Sequence, residues 1–570
     1  MSDEQTGMKK GLTRYGDDAF SLFLRKAFIK AMGYTDDALN RPIIGIADTF
    51  SGFNACHKTV PDLIEAVKRG VMLAGGLPVE FPTISIHESF AHPTSMFLRN
   101  LMSMDTEEMI RAQPMDAVVL IGGCDKTVPA LLMGAASANV PAIVCVTGPM
   151  GTGSHKGERL GACTDCRRMW GKFRAGEIDE VEIEDISSKL VPTAGTCGVM
   201  GTASTMALMT EAMGMMLPGG AAIPAFAADR LRHAEETGTR AVALAKEKVT
   251  PDQIITQAAL NNAMKTLLAV GGSTNGIVHM AAVAGRLGLN VDLDAFDTMG
   301  REVPMLVDLK PNGSYYMEDL WKAGGLTTIL REIEDLLDLD CPTVSGKTLG
   351  ENLAAMAPGW DQDVVRPRSN PLFSKGSMAV LRGNLAPNGA VLKQSAADQG
   401  LLVHEGRAVV FENLEDLAER IDSADLDVTA DDVLVLRNIG PKGAPGMPEA
   451  GYIPIPKKLA SQGVKDMVRI SDGRMSGTAF GTIILHVSPE AADGGPLALV
   501  ETGDRIRLDT PNRSLELLVD EAEMKSRRDS WTPPPAHQGS GRGYLKLYLD
   551  TVTQAEEGAD FGFLKAVDEA

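Results

Sequence analysis

"DAVVLIGGCDKTVP", residues 116–129, joins an apolar, strand-like run to Cys124, Asp125 and Lys126. The loop at the carboxyl end of a parallel strand is where open α/β sheets usually bind ligands. The stretch therefore predicts an α/β sheet with a candidate site in the loop of Cys124. The alternative interpretation is a strand that ends in a buried cysteine and a capping aspartate.

Strand-like and helix-like segments alternate on both sides of this stretch, up to about residue 355. "RPIIGIAD" (41–48) and "PAIVCVTG" (141–148) are strand-like, whereas "KTVPDLIEAVKRGVMLAGG" (58–76) and "TPDQIITQAALNNAMKTLLAVGG" (250–272) have helical apolar spacing. Strands and helices in alternation predict a mostly parallel sheet covered by helices.

A break rich in proline, glycine and charge follows in "MAPGWDQDVVRPRSNPLFSKGS", residues 356–377. We place the domain boundary there, with an α/β domain over 1–360 and a second domain over 375–570. Short strand-like segments then follow one another closely: MAVLRG, AVLK, RAVVF, DVLVLR, DMVRI, TIILHV, LALV, DRIRL and RSLELLV. Many short strands separated by turn residues predict a β-barrel or a closed sandwich.

Composition and charge indicate which classes of partner and which cellular compartment to expect. The chain of 570 residues has 55 Lys and Arg against 75 Asp and Glu, a net charge of -20, which disfavours nucleic acid and anionic membranes. The start, "MSDEQTGMKKGLTRYGDD", lacks the apolar core of a signal peptide, and no apolar stretch approaches the ~20 residues of a membrane span. Seven cysteines are too few for a secreted disulfide framework, so we expect a cytoplasmic protein.

Two motifs can be explained either by a functional site or by a purely structural role. "CTDC", residues 163–166, has the spacing of a thioredoxin-type dithiol or of half a zinc site, but no second CxxC accompanies it, and two incidental thiols are the alternative. "GGSTN", residues 271–275, is either a helix C-cap followed by a turn or a loop whose backbone N–H groups bind an anion.

Cys56, Cys124 and Cys197 share a local setting, because each lies in a loop that precedes a predicted helix. Helix N-termini lower the pKa of a thiol and stabilise the thiolate, which is the form that binds metal. Their wide separations match no ferredoxin or zinc-ribbon pattern, so spacing alone leaves a site of three cysteines undecided.

Three long motifs carry a resemblance to a known family: "GGCDKTVPALLMGA", "PTAGTCGVMGTASTM" and "RISDGRMSGTAFGTIILHVSPEAADGGPLALVETGD". Together they resemble the dihydroxy-acid dehydratase family, which also contains phosphogluconate dehydratase and several sugar-acid dehydratases. The resemblance runs from about residue 12 to residue 528. It implies an N-terminal α/β domain, a C-terminal β-barrel domain and an active site at their interface, in a homodimer or a dimer of dimers.

Matched motif by motif, the resemblance implies that Cys56, Cys124 and Cys197 hold an iron-sulfur cluster. Cys163 and Cys166 are then expected to lie outside the site. A three-cysteine site is compatible with a 2Fe-2S or a 4Fe-4S cluster, and we expect 2Fe-2S because of the resemblance to the pentonate dehydratases.

The resemblance also implies a Mg²⁺ site. Its ligands fall on Glu88, Asp125, Lys126 and Glu449. Lys126 would be carbamylated, because an ammonium repels Mg²⁺ whereas a carbamate supplies an oxygen ligand that suits this hard ion. Read in isolation, these residues are surface carboxylates and a solvated lysine.

The implied reaction is the dehydration of a 2,3-dihydroxy acid to a 2-keto-3-deoxy acid. An iron with an open position acts as Lewis acid for the C3 hydroxyl, and Mg²⁺ stabilises the enolate-like charge at C2. The resemblance assigns Ser476 as the base that takes the C2 proton, with Thr478 as a hydrogen-bond donor and Lys126 as part of the catalytic set.

The loop "RISDGRMSGTAFGTIILH" is closer to the sugar-acid members than to the branched-chain biosynthetic members. We therefore expect an aldonic or similar short hydroxy acid as the small-molecule substrate, with 2,3-dihydroxy-3-methylbutanoate as the alternative. Two rival classes are an electron-transfer protein, which would not need Ser476 or the Mg²⁺ candidates, and a metal-free binding module.

Overall fold

Strands and helices alternate through the first part of the chain and give way to closely spaced strands in the second. The computed structural model describes residues 6–357 and 359–567. The strands are β1 (Ile43–Asp48), β2 (Leu77–Pro82), β3 (Ala117–Gly122), β4 (Ala142–Val146), β5 (Gly153–His155), β6 (Glu158–Leu160), β7 (Ala379–Gly383), β8 (Ala386–Leu392), β9 (Val403–Phe411), β10 (Val433–Leu436), β11 (Arg469–Ser471), β12 (Ile483–Ser488), β13 (Arg505–Asp509) and β14 (Ser514–Leu517).

The helices come mostly from the first part of the chain. They are α1 (Asp18–Lys30), α2 (Asp36–Leu39), α3 (Val60–Leu73), α4 (Ser95–Ala112), α5 (Thr127–Ala138), α6 (Thr164–Arg174), α7 (Glu180–Ser187), α8 (Thr202–Ala212), α9 (Ala228–Glu247), α10 (Pro251–Ile254), α11 (Gln257–Val270), α12 (Asn275–Gly285), α13 (Leu293–Glu302), α14 (Met317–Lys322), α15 (Gly325–Glu332), α16 (Leu349–Ala355), α17 (Leu414–Arg420), α18 (Lys457–Ala460), α19 (Glu521–Ser530) and α20 (Gly543–Thr551). Among the described residues, no helix is both long and apolar enough to cross a bilayer.

The first four strands form a parallel sheet in the order β2-β1-β3-β4. The expected strands at 43–48, 117–122 and 142–146 are confirmed, and β3 is buried at every position. The sequence pattern did not predict β2, "LPVEFP", because its two prolines and its exposed Glu80 are not typical of a buried strand. Proline is tolerated there because β2 is an edge strand.

Helices cover both faces of this sheet. The connections β1-α3-β2 and β3-α5-β4 run in opposite directions across the sheet, so right-handed crossovers place α3 and α5 on opposite faces. Helix α9 packs on α3 at close range, since a Cβ at Gly70 would lie 1.9 Å from the Glu235 carbonyl oxygen. The point between β1 and β3, where the connections diverge, is the switch point at which such sheets bind ligands.

The closely spaced strands of the second part form a closed barrel in the order β10-β11-β12-β8-β7-β14-β13-β9. The expected barrel is confirmed, but the expected strand "LALV" is wrong. Residues Pro496–Leu499 form a 3-10 helix instead. Pro496 has no N–H to contribute to a ladder and favours the start of a helical turn.

The two parts contact each other through buried polar groups. The Asp297 carboxylate on α13 accepts hydrogen bonds from the Val380 backbone N–H of β7 (3.1 Å) and from Arg513 Nε (2.7 Å). Near the end of the chain, Asp560 pairs with Arg286, the residue directly after α12, at 2.6 Å. Pro358, inside the predicted interdomain break, lies outside the described residues.

Candidate active site

Thiol groups gather at the carboxyl edge of the parallel sheet. Cys56 lies in a 3-10 turn after β1, Cys124 lies between β3 and α5, and Cys197 lies in the loop before α8. Ligand atoms of Cys56, His87 and Cys124 all lie within 4.8 Å of one another. The structure therefore brings the predicted cysteines to one edge of the sheet and adds a histidine.

Cys56 and Cys124 lie close enough to shift each other's pKa. The neighbouring Cys124 thiol, opposed by burial and supported by His87, lowers the pKa of the Cys56 thiol to about 6. The neighbouring Cys56 thiol and burial raise the pKa of Cys124 above its ordinary value. A thiol that deprotonates this readily is suited to bind a metal ion as the thiolate.

His57 fixes the position of the Cys124 loop, and the sequence reading missed it. Its Nδ1–H donates to the Thr49 carbonyl oxygen at 2.8 Å, and its Nε2 accepts from the backbone N–H groups of Gly123 and Cys124, each at 3.1 Å. Burial lowers the pKa of His57 to about 4, so the ring is neutral and can accept these bonds. The feature of the sequence that could have indicated this role is the position of His57 directly after Cys56.

Cys163 lies beside the site. Its Sγ is 3.4 Å from Sγ of Cys197, so Cys163 lies closer to the predicted ligands than the expectation for the Cys163–Cys166 pair implies. The first turn of α6 is held against the barrel, because Thr164 Oγ1 donates to the Thr478 carbonyl oxygen at 3.2 Å. That tertiary contact brings Cys163, the residue before α6, next to Cys197. No spacing in the sequence indicates this contact.

Carboxylates gather next to the thiols around a buried lysine. Ligand oxygens of Glu88, Asp125 and Glu449 lie within 4.8 Å of one another. Lys126 Nζ lies 2.5 Å from Asp125 Oδ2, 3.2 Å from Glu88 Oε2 and 3.4 Å from Glu449 Oε1. Burial and Arg474 oppose a charge on Lys126, but the three carboxylates outweigh them and raise its pKa. The predicted Mg²⁺ ligands therefore share one small region.

Arg474 is a second buried cation at this group, and the sequence reading did not single it out. Its Nη1 is 2.5 Å from Glu449 Oε1, and its Nη2 donates to Thr94 Oγ1 at 2.9 Å. Thr94 in turn donates to Glu88 Oε1 at 3.1 Å. Because Arg474 comes from the barrel and Glu88 from the α/β part, this chain of contacts joins the two domains at the site.

The two donor sets suit two different kinds of metal group. Thiolates are ligands of iron-sulfur clusters, and carboxylate oxygens are ligands of Mg²⁺. The sets adjoin each other, because Cys124 Sγ and Asp125 Oδ1 are 3.6 Å apart. The residues present therefore fit both a cluster and a Mg²⁺ ion, held side by side.

Ser476 lies on a barrel loop that enters the α/β part. Its Oγ is 2.8 Å from Thr478 Oγ1 and also accepts from the Thr478 backbone N–H at 3.4 Å. Met475 pairs with Ala450 in an isolated β-bridge, which keeps this loop beside the loop of Glu449. Asn275 Nδ2 donates to the Met475 carbonyl oxygen at 3.1 Å.

The "GGSTN" stretch has a structural role at this loop. Gly271 caps α11 in the left-handed conformation, with a φ of 59°, which confirms the C-cap interpretation. Asn275, at the end of the stretch, makes the contact with the Ser476 loop. The backbone N–H groups of Gly272 and Ser273 already donate to the Leu267 carbonyl oxygen and to Thr205 Oγ1, so they are not free to bind an anion.

Gly477→Ala is expected to displace Ser476. A Cβ at Gly477 would lie 2.6 Å from Ser273 Cβ and 3.0 Å from the Thr202 backbone nitrogen, so the loop must shift. Overpacking of this kind costs about 1–3 kcal/mol of stability. We expect turnover to fall about tenfold, within the range that small misplacements of reacting groups produce. Gly541→Ala, whose Cβ would meet nothing within 4 Å, is the matched control.

Comparisons with known proteins find family models and relatives that match most of the chain. The family models of the dihydroxy-acid/6-phosphogluconate dehydratase N-terminal and C-terminal parts match residues 41–352 and 363–559. A putative dehydratase IlvD1 from Rhizobium meliloti (strain 1021) is 50% identical over 96% of each chain. An L-arabinonate dehydratase from Rhizobium leguminosarum bv. trifolii is 46% identical over 97% of this chain and 95% of its own. A dihydroxy-acid dehydratase from Thermodesulfovibrio yellowstonii is 38% identical over 97% of this chain and 98% of its own.

Proposed function

Because the chain belongs to the dihydroxy-acid/6-phosphogluconate dehydratase family, we propose that it dehydrates a 2,3-dihydroxy carboxylic acid to a 2-keto-3-deoxy acid. The observation that carries the proposal is that soft thiol donors and hard carboxylate donors lie next to each other at the domain interface. Cys124 Sγ and Asp125 Oδ1 are 3.6 Å apart, and the Ser476 loop approaches from the barrel. The reaction requires a Lewis acid for the departing C3 hydroxyl and stabilisation of the negative charge that develops when the C2 proton leaves. Two kinds of metal group perform these two tasks better than one kind alone.

The proposed cofactors are a 2Fe-2S cluster on Cys56, Cys124 and Cys197, with 4Fe-4S as the alternative, and Mg²⁺. When bound, the cluster supplies a Lewis acid for the leaving hydroxyl, and Mg²⁺ stabilises negative charge that develops at the carboxylate and C2 oxygens. The thiol pairs and the neighbouring carboxylates support this assignment because their donor types match.

The chain's own residues then orient the acid and move its C2 proton. We assign Ser476 as the base and Thr478 as the group that holds its oxygen, since the two hydroxyls are 2.8 Å apart. Arg474 is fully buried and holds Glu449 in place. After the C2 proton and the C3 hydroxyl have left, the enol becomes the 2-keto acid.

Lys126 takes part, in this proposal, as a carbamate. Its neutral amine and carbon dioxide form a carbamate and release a proton, which turns a cation into an oxygen ligand. In the structure, the ammonium and Arg474 face Glu88, Asp125 and Glu449. Exchanging the ammonium for a carbamate together with Mg²⁺ leaves the formal net charge of this group unchanged. That balance supports the exchange, because a buried group tolerates little excess charge.

Lys126→Ala tests the carbamate. We expect a cluster spectrum close to that of the wild type but turnover lower by roughly 10²-fold, the scale of losing one group that stabilises developing negative charge. Turnover is measured with Mg²⁺ and bicarbonate present and with both metals quantified. Lys347→Ala, at an exposed position, is the control and should retain full turnover. Full turnover in Lys126→Ala would remove the carbamate from the mechanism.

The substrate class we propose is an aldonic or similar short hydroxy acid. The "SDGRMSGT" loop and the higher identity to the L-arabinonate dehydratase than to the dihydroxy-acid dehydratase support it. The alternative is the branched-chain dihydroxy acid of valine and isoleucine biosynthesis. A screen of C3 to C6 hydroxy acids for 2-keto acid formation, with Mg²⁺ present, decides between them. Formation of the keto acid from 2,3-dihydroxy-3-methylbutanoate alone would favour the alternative.

We also propose a cytoplasmic homodimer or dimer of dimers. The seven free cysteines support a reducing compartment, and the net charge of -20 supports a small-molecule partner rather than nucleic acid or an anionic membrane. Exposed aromatic side chains on α1, at Phe20, Phe23 and Phe28, are a candidate contact surface for a second copy. Light scattering of the purified protein measures the mass that decides the oligomeric state.

A further inference from the structure

Four thiols, rather than three, surround the candidate cluster site, and they lie in two pairs. The Sγ atoms of Cys56 and Cys124 lie within 4.8 Å of each other and form the first pair. Cys163 and Cys197 form the second pair, with their Sγ atoms 3.4 Å apart. Cys163 is not part of any motif that pointed to the family, so neither the resemblance nor the comparisons give it a role.

The distance within the second pair is informative. Two thiolates bound to one tetrahedral metal, each at about 2.3 Å, lie roughly 3.8 Å from each other. A disulfide would hold the sulfur atoms at about 2.0 Å. The Cys163–Cys197 separation of 3.4 Å is therefore close to the spacing of two ligands on one metal. A small shift of one side chain is enough to reach it.

We propose that Cys163 is a fourth thiol ligand of the cluster site, sharing one iron with Cys197 while no substrate is bound. The inference rests on the proposed function, because it requires the cluster. Four cysteines are the full ligand set of a 2Fe-2S cluster, whereas three leave a position for a substrate hydroxyl. Cys163 therefore has to leave its position when the substrate binds.

The exchange involves no oxidation or reduction. The bond between the Cys163 thiolate and iron breaks, and the substrate hydroxyl takes the vacated position. The freed thiolate keeps its charge, which the N-terminus of α6 stabilises because Cys163 is the N-cap residue of that helix.

The surroundings of Cys163 fit a ligand that can be displaced. Cys56 and Cys124 are buried, whereas Cys163 and its pair partner Cys197 are partly exposed, so the second pair is the one that a substrate can reach. The segment that carries Cys163 also contacts the loop of the proposed base, through the hydrogen bond from Thr164 Oγ1 to the Thr478 carbonyl oxygen. A substrate that settles against Thr478 therefore arrives directly beside Cys163.

The test compares anaerobically reconstituted wild type with Cys163→Ala and the more conservative Cys163→Ser, and with Cys166→Ala as the control. Iron and acid-labile sulfide are quantified, and the visible absorption and the electron paramagnetic resonance of the reduced protein are recorded. We expect both Cys163 variants to keep the wild-type iron and sulfide content but to show shifted absorption bands and g values. Cys166→Ala should retain the wild-type g values.

Identical spectra in the wild type and both Cys163 variants, at equal iron and sulfide content, would overturn the inference and leave the proposed function standing. Complete loss of the cluster from a folded Cys163→Ser protein would contradict the displacement of Cys163 by the substrate, because it would show that Cys163 is a permanent ligand. A wild type that takes up no iron and no sulfide would instead refute the proposed cofactor, and with it this role of Cys163.

Discussion

Cys124→Ser is expected to abolish the visible absorbance of the cluster and, with it, measurable turnover. A serine hydroxyl is a hard, weakly acidic donor, whereas iron-sulfur clusters need soft thiolates. Cys124 also lies at the centre of the site, with its Sγ within 4.8 Å of Cys56 Sγ and 3.6 Å from Asp125 Oδ1. The same loss is expected for Cys56→Ser and Cys197→Ser. The measurements are absorbance, iron and acid-labile sulfide after anaerobic reconstitution.

Cys341→Ser is the matched control for this series. Cys341 is buried away from the site and accepts a hydrogen bond from Asn262 Nδ2 at 3.6 Å, which a serine oxygen can also accept. This variant should retain the cluster and turnover. If Cys124→Ser keeps its cluster while a Cys163→Ser, Cys166→Ser double variant loses it, the assignment of the three ligands is wrong.

The fold was predictable where one physical signal dominated. The β3 run is buried at every position, so its sequence is almost purely apolar and its end marks the loop of Cys124. The barrel strands were recognisable from their short apolar runs, with one exception. "LALV" has the same composition as a strand but follows Pro496, which favours a helical turn, and the barrel closes without it.

The candidate site was less predictable, because tertiary contacts assemble it. Glu88, Asp125 and Glu449 come from distant parts of the chain, and only the family resemblance indicated that they meet. His57 and Arg474 act by hydrogen bonds that cross between loops, which no local pattern encodes. For the same reason the sequence did not indicate that Sγ of Cys163 lies 3.4 Å from Sγ of Cys197.

Ser476→Ala is expected to keep the cluster, Mg²⁺ and substrate binding while turnover falls by roughly 10²-fold to 10⁴-fold, the scale of general base catalysis. A serine hydroxyl is normally too weakly acidic to act as a base, so its surroundings must stabilise the deprotonated oxygen. Thr478 provides this, with its hydroxyl at 2.8 Å and its backbone N–H at 3.4 Å from Ser476 Oγ. Hydrogen bonds to a charged form lower the pKa of the group, and a bound Mg²⁺ nearby would act in the same direction.

The decisive measurement on Ser476→Ala is single-turnover formation of the 2-keto acid from substrate with hydrogen or deuterium at C2. If Ser476 removes the C2 proton, its loss makes that step slower, and the deuterium effect on the observed rate becomes larger or newly visible. Thr478→Val should show a smaller loss of turnover, because the backbone N–H of residue 478 still reaches Ser476 Oγ. Ser461→Ala, an exposed serine that only bonds the Lys458 carbonyl oxygen, is the control. Near wild-type turnover with an unchanged isotope effect in Ser476→Ala would mean that another group takes the proton.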